Sequence, residues 1–206
     1  RIPSPETAAE LVANAAPEKK AIAERLAAKA HYYDEARKLA HIASSCGIVE
    51  QGMRQFVVCS GGGPSIMEAA NRGAVEAGAE TIGLNIVLPH EQAPNAYVTP
   101  RLAFQFHYFA LRKMHFLLRA RAVAVFPGGF GTFDEFFELL TLIQTGKMKP
   151  VPILLFGREF WEKLINFDHL VDTELPPVDR AAVASVRQTS ALPIAALPLG
   201  TSTCFE

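Results

Sequence analysis

The residues best suited to chemistry lie in one run, Val123-Ala124-Val125-Phe126-Pro127-Gly128-Gly129-Phe130-Gly131-Thr132-Phe133-Asp134-Glu135. Its short apolar, β-branched opening predicts a buried strand. Glycines 128, 129 and 131 follow, and Phe136, Phe137, Leu139, Leu140 and Ile143 then recur at the spacing of an amphipathic helix. A strand that ends in glycines and feeds a helix aims backbone N–H groups and the positive end of a helix dipole at one spot. An anion, most often a phosphate, binds well there. Glycine is expected because a Cβ would block either positive φ angles or the close approach of a ligand. Thr132-Phe133-Asp134-Glu135 also fits a capping box, with Thr132 as helix cap and Glu135 reaching back to it. A capping box leaves the three glycines unexplained.

A second junction of the same kind precedes it. Gln55–Ser60 reads as a buried strand running into Gly61-Gly62-Gly63-Pro64, with Pro64 in the first turn of a helix that continues through Ile66, Met67, Ala70 and Gly73 to about Ala77. Close strand–helix packing explains a lone triple glycine about as well as a ligand does. Two such junctions in one parallel sheet are a stronger signal, because ligands collect beyond the carboxyl ends of the strands.

The elements that must position these loops alternate along the chain. Thr81–Ile86 reads as a strand, Leu88–Asn95 as a long polar loop, and Tyr97–Phe106 as holding a short extended piece. His107–Ala120 reads as a helix carrying Arg112-Lys113, Val151–Phe156 as a strand, and Glu159–Val171 as its helix. Taken alone, Arg112 is either a solvated helix arginine or a residue near the glycine loop. Pro17–Ser45 is a helix or helix pair, residues 1–16 carry little periodicity, and the tail 172–206 is irregular, an arm or a disordered end with no assigned function. The alternation predicts an α/β, Rossmann-like single domain over 1–206: a parallel β-sheet flanked by helices on both faces.

Composition narrows the function classes. The chain is 50% hydrophobic and 20% charged, with net charge −1, so no electrostatic case exists for nucleic acid or a membrane surface. Cys46, Cys59 and Cys204 are odd in number and unclustered, which argues against a disulfide framework or zinc and for a reducing, cytoplasmic setting. The histidines at 31, 41, 90, 107, 115 and 169 show no metal-ligand spacing, so no metal is expected. The chain begins at Arg1 rather than Met, and its natural N-terminus is expected to lie outside it.

Over roughly residues 56–171 the sequence resembles the LOG ("lonely guy") phosphoribohydrolases, long labelled "possible lysine decarboxylases". The likeness rests on Gly61-Gly62-Gly63-Pro64 with Met67-Glu68-Ala69-Ala70, on Leu88-Pro89-His90-Glu91, on Arg112-Lys113, and on the Pro127–Glu135 string. It implies Arg112 and Glu135 as the catalytic pair. It places nucleotide contacts on Glu91, Lys113, the loop Gly128, Gly129, Phe130, Gly131 and Thr132, on Thr141, and on Gly61, Gly62 and Gly63. Two departures stand out: the family's first strand, with its G-S-x-R turn, is expected to lie outside this sequence, and the proline-rich tail lacks a helical ending.

The resemblance further implies hydrolysis of the N-glycosidic bond of a nucleoside 5′-monophosphate to free base and ribose 5-phosphate, without cofactor, in a homodimer. AMP and a cytokinin riboside 5′-monophosphate both remain open as substrate, with Met67 and Phe104 as candidate base-lining residues. The rival is a non-catalytic nucleotide or cofactor carrier, such as a molybdenum-cofactor carrier, which needs the glycines but not Glu135. A pyridoxal-phosphate decarboxylase is rejected, since Lys113 has no recognisable Schiff-base setting.

Overall fold

A computed structural model describes residues 2–46, 49–50, 53–88, 93–172 and 182–189. They fall into two compact units whose boundary lies between Arg112 and Lys113.

The first unit opens with three helices, α1 (Pro5–Ala13), α2 (Pro17–Ala27) and α3 (His31–Ser45). α1 lies where periodicity is weak, and it forms because its start is well capped. Ser4 Oγ accepts from Thr7 N–H at 3.2 Å, Pro5 takes the first position, and Glu6 faces the dipole. The Pro17–Ser45 stretch is a helix pair, broken around Ala28–Ala30. A two-stranded antiparallel pair, β1 (Val49–Glu50) and β2 (Met53–Arg54), follows.

Next come β3 (Val58–Ser60), α4 (Ile66–Glu76), β4 (Thr81–Ile86) and, after a 3-10 turn at Pro100–Leu102, β5 (Ala103–Phe106). β3, β4 and β5 form a parallel sheet in that order, with Ser60 opposite Gly83 and Gly83 opposite Ala103. α3 packs closely on α4 because Gly73 has no Cβ; one there would collide with the Arg37 carbonyl and stand 3.1 Å from Ala40 Cβ. Tyr33 Oη donates to Glu68 at 2.8 Å, and Arg37 grips both Glu76 oxygens at 2.6 Å. Pro64 stands before the helix rather than in its first turn, because Ser65, at φ 73°, is the residue from which α4 starts.

α5 (Phe109–Leu118) carries Arg112 and Lys113 at the boundary. The second unit then runs β6 (Val123–Val125), α6 (Phe130–Gln144), β7 (Ile153–Phe156), α7 (Arg158–Leu164), α8 (Phe167–Asp172) and β8 (Val186–Thr189). β6, β7 and β8 form a second parallel sheet, with Val123 opposite Ile153 and Ile153 opposite Val186. Val125, Phe136, Leu139, Ile143, Ile153, Leu155 and Trp161 make its core, and Trp161 Nε1 donates to Phe156 O at 2.8 Å. Parallel strands joined by helices make each unit α/β and Rossmann-like.

Two expectations are corrected. The helix expected over Glu159–Val171 is two helices, because Ile165 is extended and Asn166 Oδ1 restarts the chain by accepting from His169 N–H at 2.9 Å. The irregular tail contributes the strand β8, a short half-exposed piece that lacks the apolar run of a central strand. Among the described residues, no helix is long and apolar enough to cross a membrane.

Candidate active site

The carboxyl end of β6 opens into Phe126-Pro127-Gly128-Gly129, and α6 begins at Phe130 with Gly129 as its N-cap. The capping box does not form: Thr132 lies inside the first turn, and no side chain caps the helix. Thr132 is instead turned onto Gly128, where a Cβ would collide with the Thr132 side chain. None of these three glycines has a positive φ, so that part of the expectation is also corrected. Gly128 is needed for Thr132. A Cβ on Gly129 or Gly131 would meet no protein atom within 4 Å.

The donors at this end are open too. Thr132 N–H and Phe133 N–H bond Gly129 O at 2.9 and 3.2 Å, whereas Phe130 and Gly131 N–H find no acceptor among the described residues. No acidic side chain occupies the first turn. An uncapped helix start with orphan donors and room before it attracts anions. Phe130 stands 93% exposed beside it.

One and two turns further along α6, Phe133, Asp134, Phe137, Glu138, Thr141 and Leu142 line an open depression of about 470 Å³. Lys113 pairs here with Glu138 at 2.6 Å and Asp134 at 3.0 Å. Glu138 first, and then Asp134, hold its ammonium above the usual lysine range. Lys113 is thus already engaged by two carboxylates. Thr141 Oγ1 donates to Phe137 O at 2.8 Å.

The first glycine junction, in the other unit, is built differently. Gly62 has φ 69°, and a Cβ there would stand 2.8 Å from Asn85 Oδ1. Glycine is therefore required twice at this position. Gly62 N–H donates to Ser60 Oγ at 3.0 Å, and Asn95 Nδ2 donates to Gly62 O and Gly63 O at 3.1 and 2.9 Å. Asn71, fully buried, accepts from Ser60 Oγ at 2.7 Å and from Asn95 at 2.9 Å, and it donates to Thr81 Oγ1 at 2.6 Å.

Met67 and Arg112 flank this junction. A Cβ on Gly61 would lie 2.6 Å from Met67 Sδ and 4.0 Å from Arg112 Nη1. The Arg112 guanidinium lies 5.7 Å from the centroid of the Phe109 ring. Gly61, Gly62, Gly63, Met67 and Arg112 are thus brought together in the first unit, whereas Gly128–Thr132, Glu135, Lys113 and Thr141 belong to the second. Phe104 sits on β5, 46% exposed. Glu91 lies outside the described residues. Asn71 and Asn95 were not among the expected site residues; the one available signal was an amide among the small residues Ala69, Ala70, Gly73 and Ala74 of the helix.

The Arabidopsis thaliana cytokinin riboside 5′-monophosphate phosphoribohydrolase LOG2 is 29% identical over 148 residues, 70% of this chain. The chain spans only 64% of that protein's length. The solved molybdenum cofactor carrier protein from Chlamydomonas reinhardtii is 18% identical, with a TM-score of 0.47 over 78% of this chain and 80% of that one. The family model described as "Possible lysine decarboxylase" matches residues 67–194, which takes in Arg112, the second glycine junction and Glu135 and begins just after the first. More than half of the sequence lies inside that match, and the chain belongs to this family, the LOG family.

Proposed function

We propose that this chain hydrolyses the N-glycosidic bond of a nucleoside 5′-monophosphate, AMP or a cytokinin riboside 5′-monophosphate, to free base and ribose 5-phosphate. One observation carries the reading: the α6 start has orphan N–H groups at Phe130 and Gly131 and open space where Gly129 and Gly131 lack a Cβ. Glu135 follows within the next turn of the same helix. The 5′-phosphate binds at this helix start with Thr132, and that remote contact positions the sugar.

Cleavage breaks the C1′–N bond and builds positive charge on the ribose. The Glu135 carboxylate stabilises that charge and takes a proton from the attacking water, whose oxygen bonds C1′ while the base leaves with a proton. Arg112 pairs with ribose or phosphate oxygens and completes the catalytic pair. Glu91, Thr141 and the Gly61–Gly63 junction supply further contacts. Lys113 reaches a nucleotide by exchanging one carboxylate partner, given its bonds to Asp134 and Glu138.

We assign the two sheets to one Rossmann-like domain and the protein to the cytoplasm as a homodimer. α5 supports the dimer by exposing Phe109, Leu111, Met114 and Leu118, each about half exposed or more. The test of function is ribose 5-phosphate release from a panel of nucleoside monophosphates that includes isopentenyl-AMP. Glu135→Ala abolishes release while AMP still binds. Wild-type turnover in that variant removes Glu135 from the mechanism, and binding without release by the wild type marks a carrier.

A further inference from the structure

The structure assigns Asn95 as a positioning residue: it holds the Gly62–Gly63 peptide so that Gly63 N–H faces away from the buried network, ready to donate to a nucleotide oxygen. The inference rests on the nucleotide reading above. Asn95 acts on both carbonyls of the turn. Its Nδ2 donates to Gly62 O and Gly63 O, and its own N–H donates to Gly62 O at 2.7 Å. In a trans peptide the N–H points opposite to the C=O. Drawing Gly62 O towards Asn95 therefore turns Gly63 N–H the other way.

The positions on either side of Gly63 offer no competing donor. Gly62 N–H is taken by Ser60 Oγ, and residue 64 is a proline with no N–H to give. Gly63 N–H has no acceptor among the described residues, so it is available to a ligand as a donor whose direction Asn95 sets.

The clamp is itself held. Asn71 Oδ1 receives both Asn95 Nδ2 and Ser60 Oγ, and Asn71 Nδ2 is spent on Thr81 Oγ1, which donates to Val58 O at 3.0 Å. Helix α4 and strands β3 and β4 thus all bear on the orientation of one peptide. Pre-set donors of this kind serve binding because their orientation is fixed before the ligand arrives.

Asn95→Asp tests the role in the full chain, since it keeps the shape but replaces the donor by an oxygen facing three acceptors. At pH 7.5 AMP affinity falls about tenfold or more, with the loss carried by KM rather than kcat. The Gly63 amide proton, which moves on AMP addition in the wild type, no longer responds. Relative to wild type at each pH, affinity recovers on acidification as the new carboxyl regains a proton to donate. Ser60→Ala, a milder change that frees Gly62 N–H and one bond of Asn71, weakens AMP binding severalfold and keeps the test open if Asn95→Asp does not fold. Unchanged affinity in a folded variant, with the Gly63 response intact, overturns the positioning role and leaves the nucleotide reading standing. A wild type that neither binds nor cleaves any nucleotide of the panel overturns both.

Discussion

Gly131→Ala separates a structural glycine from a ligand-binding one, because stability and function should move in opposite directions. Gly131 occupies the second position of α6, its φ is not positive, and a Cβ there meets no protein atom within 4 Å. Nothing in the fold therefore opposes alanine. A glycine inside a helix costs roughly 0.5–1 kcal/mol relative to alanine, and a first-turn site falls at the lower end, about 0.5 kcal/mol. For a chain of this size that corresponds to a Tm higher by roughly 1–2 °C. Function predicts the reverse. If the Gly131 N–H meets a phosphate, a methyl group beside it blocks a charge-assisted hydrogen bond of about 1.5–3 kcal/mol, or on the order of 10- to 100-fold in kcat/KM. Thermal unfolding followed by circular dichroism and ribose 5-phosphate release under saturating and limiting AMP are read on the same preparation. A raised Tm with unchanged kcat/KM refutes the phosphate site at this turn. A lowered Tm refutes the open space on which the estimate rests.

Three further outcomes follow from the geometry. Gly128→Ala forces a methyl group against Thr132 and lowers stability by about 1–3 kcal/mol, and Thr132→Ala added to it restores most of that loss in urea unfolding. If the double variant is no more stable than Gly128→Ala, the Thr132 contact is not the reason for glycine at 128. Tyr33 is buried against Glu68, and burial first and that hydrogen bond second push its phenol up to about 12 from the ordinary value near 10. A raised folded-state pKa means that the stabilisation is whole below pH 10 and is lost as pH rises towards 12. Urea midpoints should fall across that window in the wild type and stay flatter in Tyr33→Phe; parallel curves would contradict this. Phe136, 1% exposed beside Trp161 in the second core, costs about 3–5 kcal/mol when cut to alanine, and a loss below 1 kcal/mol in chemical denaturation would show that the core collapses around the gap.

The sequence by itself determined what depends on neighbours along the chain. Hydrophobic spacing and glycine punctuation placed Thr81–Ile86, the α6 run and both strand–glycine–helix junctions, because strand and helix periods are local properties. The motif string was enough to point to the family that the match over residues 67–194 establishes. Tertiary structure decided the rest, for reasons no window of sequence contains. Thr132 reads in sequence as a helix cap, and the start of α6 at Phe130 instead puts it inside the first turn, turned onto Gly128. β8 is a strand because β7 offers it a parallel edge, not because Val-Arg-Gln-Thr is a strong strand former. Lys113 is expected from the resemblance as a nucleotide contact, and in the fold Asp134 and Glu138, 21 and 25 positions away, both pair with it. Asn71 and Asn95 look like ordinary polar residues until α4, β3, β4 and the loop after β4 converge. Burial then obliges the Asn71 amide to find partners, Asn95 among them, and that network sets the direction of a single glycine peptide.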